Sequence, residues 1–87
     1  MKISFSSKAE KQLKKLPRNI LENLMAWITF IEKDGLEKIR QIRGYRDEAL
    51  KGERKGQRSS RLNKAYRVIY KEDGTILEII EVNNHEY

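Results

Sequence analysis

Eighty-seven residues, 38% of them hydrophobic, can build one small core, so the chain reads as a single domain over residues 1–87 with any site on its surface or in a shallow groove. The absence of cysteine excludes a disulfide framework and a thiolate nucleophile, a lone histidine argues against a self-contained zinc site, and no run of about 18 apolar residues spans a membrane. The net charge of +6 comes from 19 basic and 13 acidic residues, and residues 51–71 alone set eight basic residues against Glu53, a focused patch suited to nucleic acid or an acidic protein.

Residues 2–5, KISF, alternate as a short opening strand rather than as the start of a secretory signal. A helix follows in SSKAEKQLKKL, with serine as its cap and Ala9, Leu13 and Leu16 on one side. Pro17 closes that run and suits the first turn of a second helix, where no donor is missed. Ile20, Leu24, Trp27 and Ile31 then recur at steps of four, three and four, with Leu21, Met25 and Ile28 widening the stripe until Asp34-Gly35. Trp27 is expected in the core, and the two helices are expected as a hairpin against a sheet. LEKIRQIRG over 36–44 makes a further short helix, after which YRDEALKGERKG crosses the surface. Gly44, Gly52 and Gly56 lack the flanking strand, spacing and helix of a phosphate loop.

QRSSRL, AYRVIYK and TILEIIEV read as three strands separated by NK and by an EDG turn, in an antiparallel meander. In the middle strand Tyr66, Val68 and Tyr70 share one face, so helices packed there leave Arg67, Ile69 and Lys71 on the open face. The last strand is apolar on both alternations, which leaves its facing open. The expected fold class is α+β: an N-terminal strand, a two-helix hairpin and the C-terminal meander.

Metal-free scission of RNA needs few groups. A base takes the proton from the ribose 2′-hydroxyl, cations stabilise the charge that gathers as this oxygen attacks phosphorus, and an acid protonates the departing 5′-oxygen. The substrate's own hydroxyl is the nucleophile, which restricts the reaction to RNA and requires neither metal nor cofactor. Glu48 is the candidate base, Arg61 and Arg67 the candidate phosphate holders, and His85 the candidate acid. Arginine suits that role because it stays charged and presents a planar donor fork. Arg61 and Arg67 sit in consecutive strands across the NK turn, which permits them to converge. Plainer readings stand beside these: Glu48 balances a basic loop, Arg61 makes an ordinary ion pair, and His85 is a solvated residue near the end. Tyr45 and Tyr87 are candidates to stack on bases or orient the phosphate, although Tyr87 equally suits a sheet edge. Lys51, Arg54, Lys55, Arg58, Lys64 and Lys71 read as contacts to the RNA backbone or the ribosome that govern salt dependence.

The run EALKGERKGQRSSRLNKAYRVIY, followed by a final strand and NNHEY, resembles the RelE/ParE superfamily of bacterial toxin–antitoxin modules. Within it the pattern is most similar to the RelE, YoeB and HigB-type ribosome-dependent mRNA interferases. The resemblance covers nearly the entire chain and implies a small RelE-like fold. In YoeB-like members a glutamate before a leucine-lysine pair, an arginine in an HRLVY-like strand and a histidine-tyrosine end match Glu48, Arg67 and His85 with Tyr87, the last two separated here by Glu86. RelE itself uses lysines of the preceding strand and a terminal arginine, whereas residues 72–87 hold no arginine, so the glutamate/histidine variant is favoured. The resemblance implies a cytoplasmic toxin that enters the A site of the 70S ribosome and cuts translated mRNA beside ribosomal RNA. It also implies a cognate antitoxin whose extended, partly acidic segment competes with the ribosome. A ParE-like inhibitor of DNA gyrase, which needs no proton donor, and a non-catalytic basic binding module are the alternatives.

Overall fold

The computed structural model describes residues 1–84. Its elements in chain order are β1 (Lys2–Phe5), α1 (Ser7–Leu13), α2 (Arg18–Asp34), α3 (Leu36–Gln41), β2 (Glu48–Ala49), β3 (Arg58–Arg61), β4 (Arg67–Glu72) and β5 (Ile76–Asn83). The strands form one sheet in the order β1-β5-β4-β3-β2. β3, β4 and β5 are the expected antiparallel meander, and the opening strand joins it in parallel with β5, Lys2 opposite Ile76 and Phe5 opposite Ile79. β2 is an addition: two residues within the loop read as a surface crossing pair antiparallel with β3. A strand this short carries no period of its own, so only the free edge of β3 reveals it. No helix among the described residues is long and apolar enough to cross a membrane.

Ser6 begins α1 as its sequence suggests. Its Oγ accepts from the Ala9 amide at 3.0 Å and donates to the Ile80 carbonyl at 2.6 Å, which ties the cap to the sheet. Ile80 is the extra residue of a β-bulge, since Ile69 pairs with Glu81 while Tyr70 pairs with Ile79. The bulge resets the alternation, so Leu77, Ile79 and Val82 all reach the core although no single period of two joins them. This is why the facing of β5 is not legible from its pattern.

Along α2, Ile20, Leu24, Trp27, Ile28 and Ile31 are buried, and Gly35, at φ +90°, ends the helix with a backbone that side chains strain to adopt. Leu21 and Met25 do not widen the buried stripe; they are exposed, standing roughly 75° and 115° around the helix from its centre. The Trp27 ring meets Tyr70 of β4 at 5.3 Å between centroids, tilted by 59°, an edge-biased aromatic contact at the middle of the core. Ala9, Leu36, Ile39, Leu62 and Val68 complete that core, which lies on one face of the sheet.

The segment between α3 and β3 is fastened to both faces of the sheet. On the helix side the side chain of Asp47 is wholly buried and accepts from Arg58 Nε at 2.6 Å, Ser60 Oγ at 2.5 Å and the Tyr70 hydroxyl at 2.6 Å. Burial, followed by the hydrogen bond to and charge of Asp47, pushes the Tyr70 phenol up, so it remains a donor. On the opposite face Arg54 donates to the buried carboxylate of Glu81, which also accepts from Asn83 Nδ2 at 2.5 Å and pairs with Lys8 at 3.5 Å. Desolvation alone would raise the Glu81 pKa, but the hydrogen bonds from Arg54 and Asn83 and the charges of Arg54 and Lys8 outweigh it, and the net shift is downward.

Asp47→Ala leaves Arg58 and two hydroxyls without their acceptor and is expected to lower the free energy of unfolding in urea by about 3–5 kcal/mol. Tyr70→Phe removes one neutral donor and should cost about 1–2 kcal/mol in the same measurement. Because the folded Glu81 carboxyl lies below its ordinary value of 4.5, its contribution is present above that pH and is lost as the pH falls through the lower folded value. Urea melts in acid should therefore show wild-type stability falling below about pH 4.5, with a shallower fall in Glu81→Gln.

Candidate active site

Directly opposed residues of neighbouring strands share a face, so register alone gathers polar side chains on the side of the sheet away from the helices. Glu48, Ser59, Ile69 and Glu81 are successive partners across β2, β3, β4 and β5, and Arg61, Arg67 and Asn83 form the adjoining row. The candidate base and both candidate phosphate-holding arginines therefore stand on one face.

Arg67 lies on the expected face but is not displayed there: it is only 5% exposed. A guanidinium can be withdrawn from water when its donors are satisfied. Arg67 Nε and Nη2 donate to Ser59 Oγ at 3.0 and 2.7 Å, and Nη2 also reaches the Arg46 carbonyl at 3.2 Å and Glu48 Oε1 at 3.5 Å. Arg46 adopts the left-handed conformation, with φ 43° and ψ 47°, immediately before the Asp47 anchor. Glu48 keeps 61% of its side chain exposed, so its carboxylate faces solvent while touching the buried cation.

Arg61 is half-buried and borders an open groove of about 360 Å³ shared with Phe30, Ile42, Gly44, Tyr45 and Leu62. Tyr45, at the end of the 3-10 turn 43–45, is thereby brought beside Arg61, with part of its ring against the core. Lys51 and Lys55 are exposed on the loop, and Lys64 is exposed in the turn after β3, where Asn63 Oδ1 accepts from the Ala65 and Tyr66 amides at 2.7 Å each. Lys71 shares the face of Arg67 but sits farther along β4, paired with Glu78 at 3.6 Å. Arg54 and Arg58 are engaged with Glu81 and Asp47, so both brace the loop. His85 and Tyr87 lie outside the described residues.

Three participants escape sequence reasoning. Ser59 is a buried hydroxyl whose only sign is its place in RSSR, where alternation puts it on the face of Arg61. The Arg46 carbonyl carries no residue signal at all. Asp47 neighbours the candidate base, yet nothing local distinguishes a buried anchor from a loop acid.

The fold has close counterparts among solved structures. YafQ from E. coli strain BL21(DE3) is 20% identical, with a TM-score of 0.81 over 95% of this chain and 91% of that one. The YoeB dimer from Staphylococcus aureus is 22% identical, with a TM-score of 0.78 over 99% and 98%. The toxin–antitoxin complex RelBE2 from Mycobacterium tuberculosis is 27% identical, with a TM-score of 0.64 over 97% and 96%. No curated protein sequence matches the chain. A family model described as the ParE toxin of type II toxin–antitoxin systems matches residues 3–86, and with that match spanning nearly the whole length, the chain belongs to the ParE toxin family within the RelE/ParE superfamily.

Proposed function

We propose that this toxin is a ribosome-dependent endoribonuclease that cuts translated mRNA. The observation that supports the reading is that Glu48, Arg67 and Arg61 share one sheet face, a solvent-exposed carboxylate touching one cation with a second opposite that cation in register. Glu48 takes the proton from the 2′-hydroxyl. That oxygen attacks phosphorus, Arg67 and Arg61 stabilise the added negative charge, and the bond to the 5′-oxygen breaks. The products are a 2′,3′-cyclic phosphate and a 5′-hydroxyl, the latter protonated by His85, with Tyr87 orienting the phosphate. Neither a metal nor an organic cofactor enters this sequence of steps.

The site is a shallow face rather than a deep pocket, which suits a substrate ordered by something larger. In this reading the 70S ribosome holds the message in an extended geometry, and part of the rate enhancement is positional. Tyr45 at the groove beside Arg61 stacks on a neighbouring base. Lys51, Lys55, Lys64 and Lys71 contact phosphates of mRNA and ribosomal RNA, while Arg54 and Arg58 hold the loop that presents them. A cognate antitoxin is the partner that covers this basic face, by analogy with the toxin–antitoxin pairing in RelBE2, and the cytoplasm is where such a target is met.

A second reading is inhibition of DNA gyrase, which the resemblance to ParE-like toxins suggests and which needs no proton donor. Mapping new 5′ ends of messages after brief expression separates the two. Cuts positioned by codon and confined to translated regions support the nuclease, whereas DNA breaks with intact messages support gyrase.

Arg67→Ala is expected to slow mRNA cleavage at least about 100-fold with the circular dichroism of a folded chain retained. Glu48→Gln is expected to slow single-turnover cleavage while leaving ribosome binding unchanged; normal cleavage in both variants would overturn the assignment. Replacing Lys51, Lys55 and Lys64 together by alanine should weaken ribosome binding and flatten its dependence on salt by roughly one unit of log–log slope per lost phosphate contact, measured by titration across ionic strengths.

A further inference from the structure

Ser59 is an unusual residue for the centre of a strand. Its side chain is fully buried, flanked across the sheet by Ile69, also fully buried, and by Glu48. Arg67 stands two positions away on the diagonal, within reach of a long side chain. The serine oxygen receives two donors from the same edge of one guanidinium, Nε at 3.0 Å and Nη2 at 2.7 Å. Two bonds from one edge fix both the plane of the group and its rotation about the Cδ–Nε bond. The Arg46 carbonyl and Glu48 hold Nη2 from further sides.

A guanidinium has five N–H donors, two of them on Nη1. Among the described residues Nη1 makes no hydrogen bond, so the protein occupies the Nε/Nη2 edge and leaves the other amine for a ligand. The backbone supports the same arrangement. Arg46 is the one non-glycine residue with positive φ among those described, and its carbonyl sits on the held edge. Left-handed backbone at an ordinary side chain persists where its surroundings impose it. Here Asp47 imposes it from the opposite face.

We infer that Ser59 is a positioning residue for the cleavage reaction: it clamps the Nε/Nη2 edge of Arg67 so that the Nη1 amine is delivered to the scissile phosphate. The inference rests on the reading of Arg67 as the cation that stabilises the transition state. In this role Ser59 acts through Arg67. A guanidinium free to rotate would still be charged and would still attract the RNA, but its donors would meet the phosphate in the wrong orientation at the moment charge develops. Loss of the clamp therefore falls on the rate at saturation rather than on binding.

The test is single-turnover cleavage of a defined message on programmed 70S ribosomes, with toxin concentration varied to separate the saturating rate from the half-saturating concentration. Ser59→Ala and Ser59→Cys are compared at a temperature where urea melts show both folded; alanine removes the acceptor, and cysteine replaces it with a larger and weaker one. Both are expected to lower the saturating rate by about 10- to 100-fold with the half-saturating concentration unchanged. In a double-mutant cycle, Ser59→Ala should add no further loss to Arg67→Ala, because a clamp has nothing to hold once its cation is gone. A wild-type rate in both single variants would overturn the inference, as would full additivity in the cycle or a loss confined to half-saturation. If Arg67→Ala itself cleaves normally, the nuclease assignment of Arg67 fails instead.

Discussion

The buried carboxylate of Asp47 is the constraint from which the arrangement of the site follows. A carboxylate with no exposed surface must be satisfied by donors, and three are supplied from two strands, Arg58 and Ser60 of β3 and Tyr70 of β4. Those bonds pull the end of an irregular loop against the sheet edge, where the next two residues pair as β2. One residue before the anchor, the Arg46 carbonyl is turned onto Arg67, and one residue after it Glu48 reaches the same guanidinium. Because neighbouring side chains of an extended strand face opposite ways, an anchor on the helix side delivers Glu48 to the open side, while the left-handed turn at Arg46 brings its carbonyl there. The core and the site are thus joined through Tyr70, whose ring meets Trp27 in the tilted contact and whose hydroxyl donates to Asp47.

The two faces of the sheet divide the work. One is closed by the apolar stripe of α2 together with α1 and α3 and contributes most of the hydrophobic stabilisation. The other carries a layer of arginines and carboxylates, and much of the positive charge of residues 51–71 is spent within it. Arg54 pairs with Glu81 and Arg67 with Glu48 on that face, while Arg58 is held on the helix side by Asp47. Pairing of this kind does not make the patch neutral, since Lys51, Lys55 and Lys64 remain exposed around it. It separates roles: arginines with bonded donors set geometry, and mobile lysines supply the long-range attraction that brings a polyanion to the face.

Local periodicity made a large part of this molecule readable. The stripe from Ile20 to Ile31, the serine cap of α1, the glycine stop at Gly35 and the meander of β3, β4 and β5 depend on neighbours in sequence, and each is visible as a pattern of residue types. The placement of Arg61 opposite Arg67 follows from the short turn between their strands, so their shared face was open to sequence reasoning as well. Leu21 and Met25 fall outside the buried stripe because hydropathy reports which residues suit burial, not how wide a stripe the sheet will cover.

The amino-acid sequence by itself determined the helices and the strands other than β2, the core face of α2, the concentration of charge and the family to which the chain belongs. Only the tertiary structure decided which groups meet. The pairing of β2, the bulge at Ile80, the burial of Arg67 and the Ser59 clamp all arise between residues distant in sequence, where each partner's position depends on strands that close elsewhere. Alternation states that Arg67 and Ser59 share a face. It takes the packed loop above them, pinned by Asp47 from below, to turn a shared face into a held guanidinium.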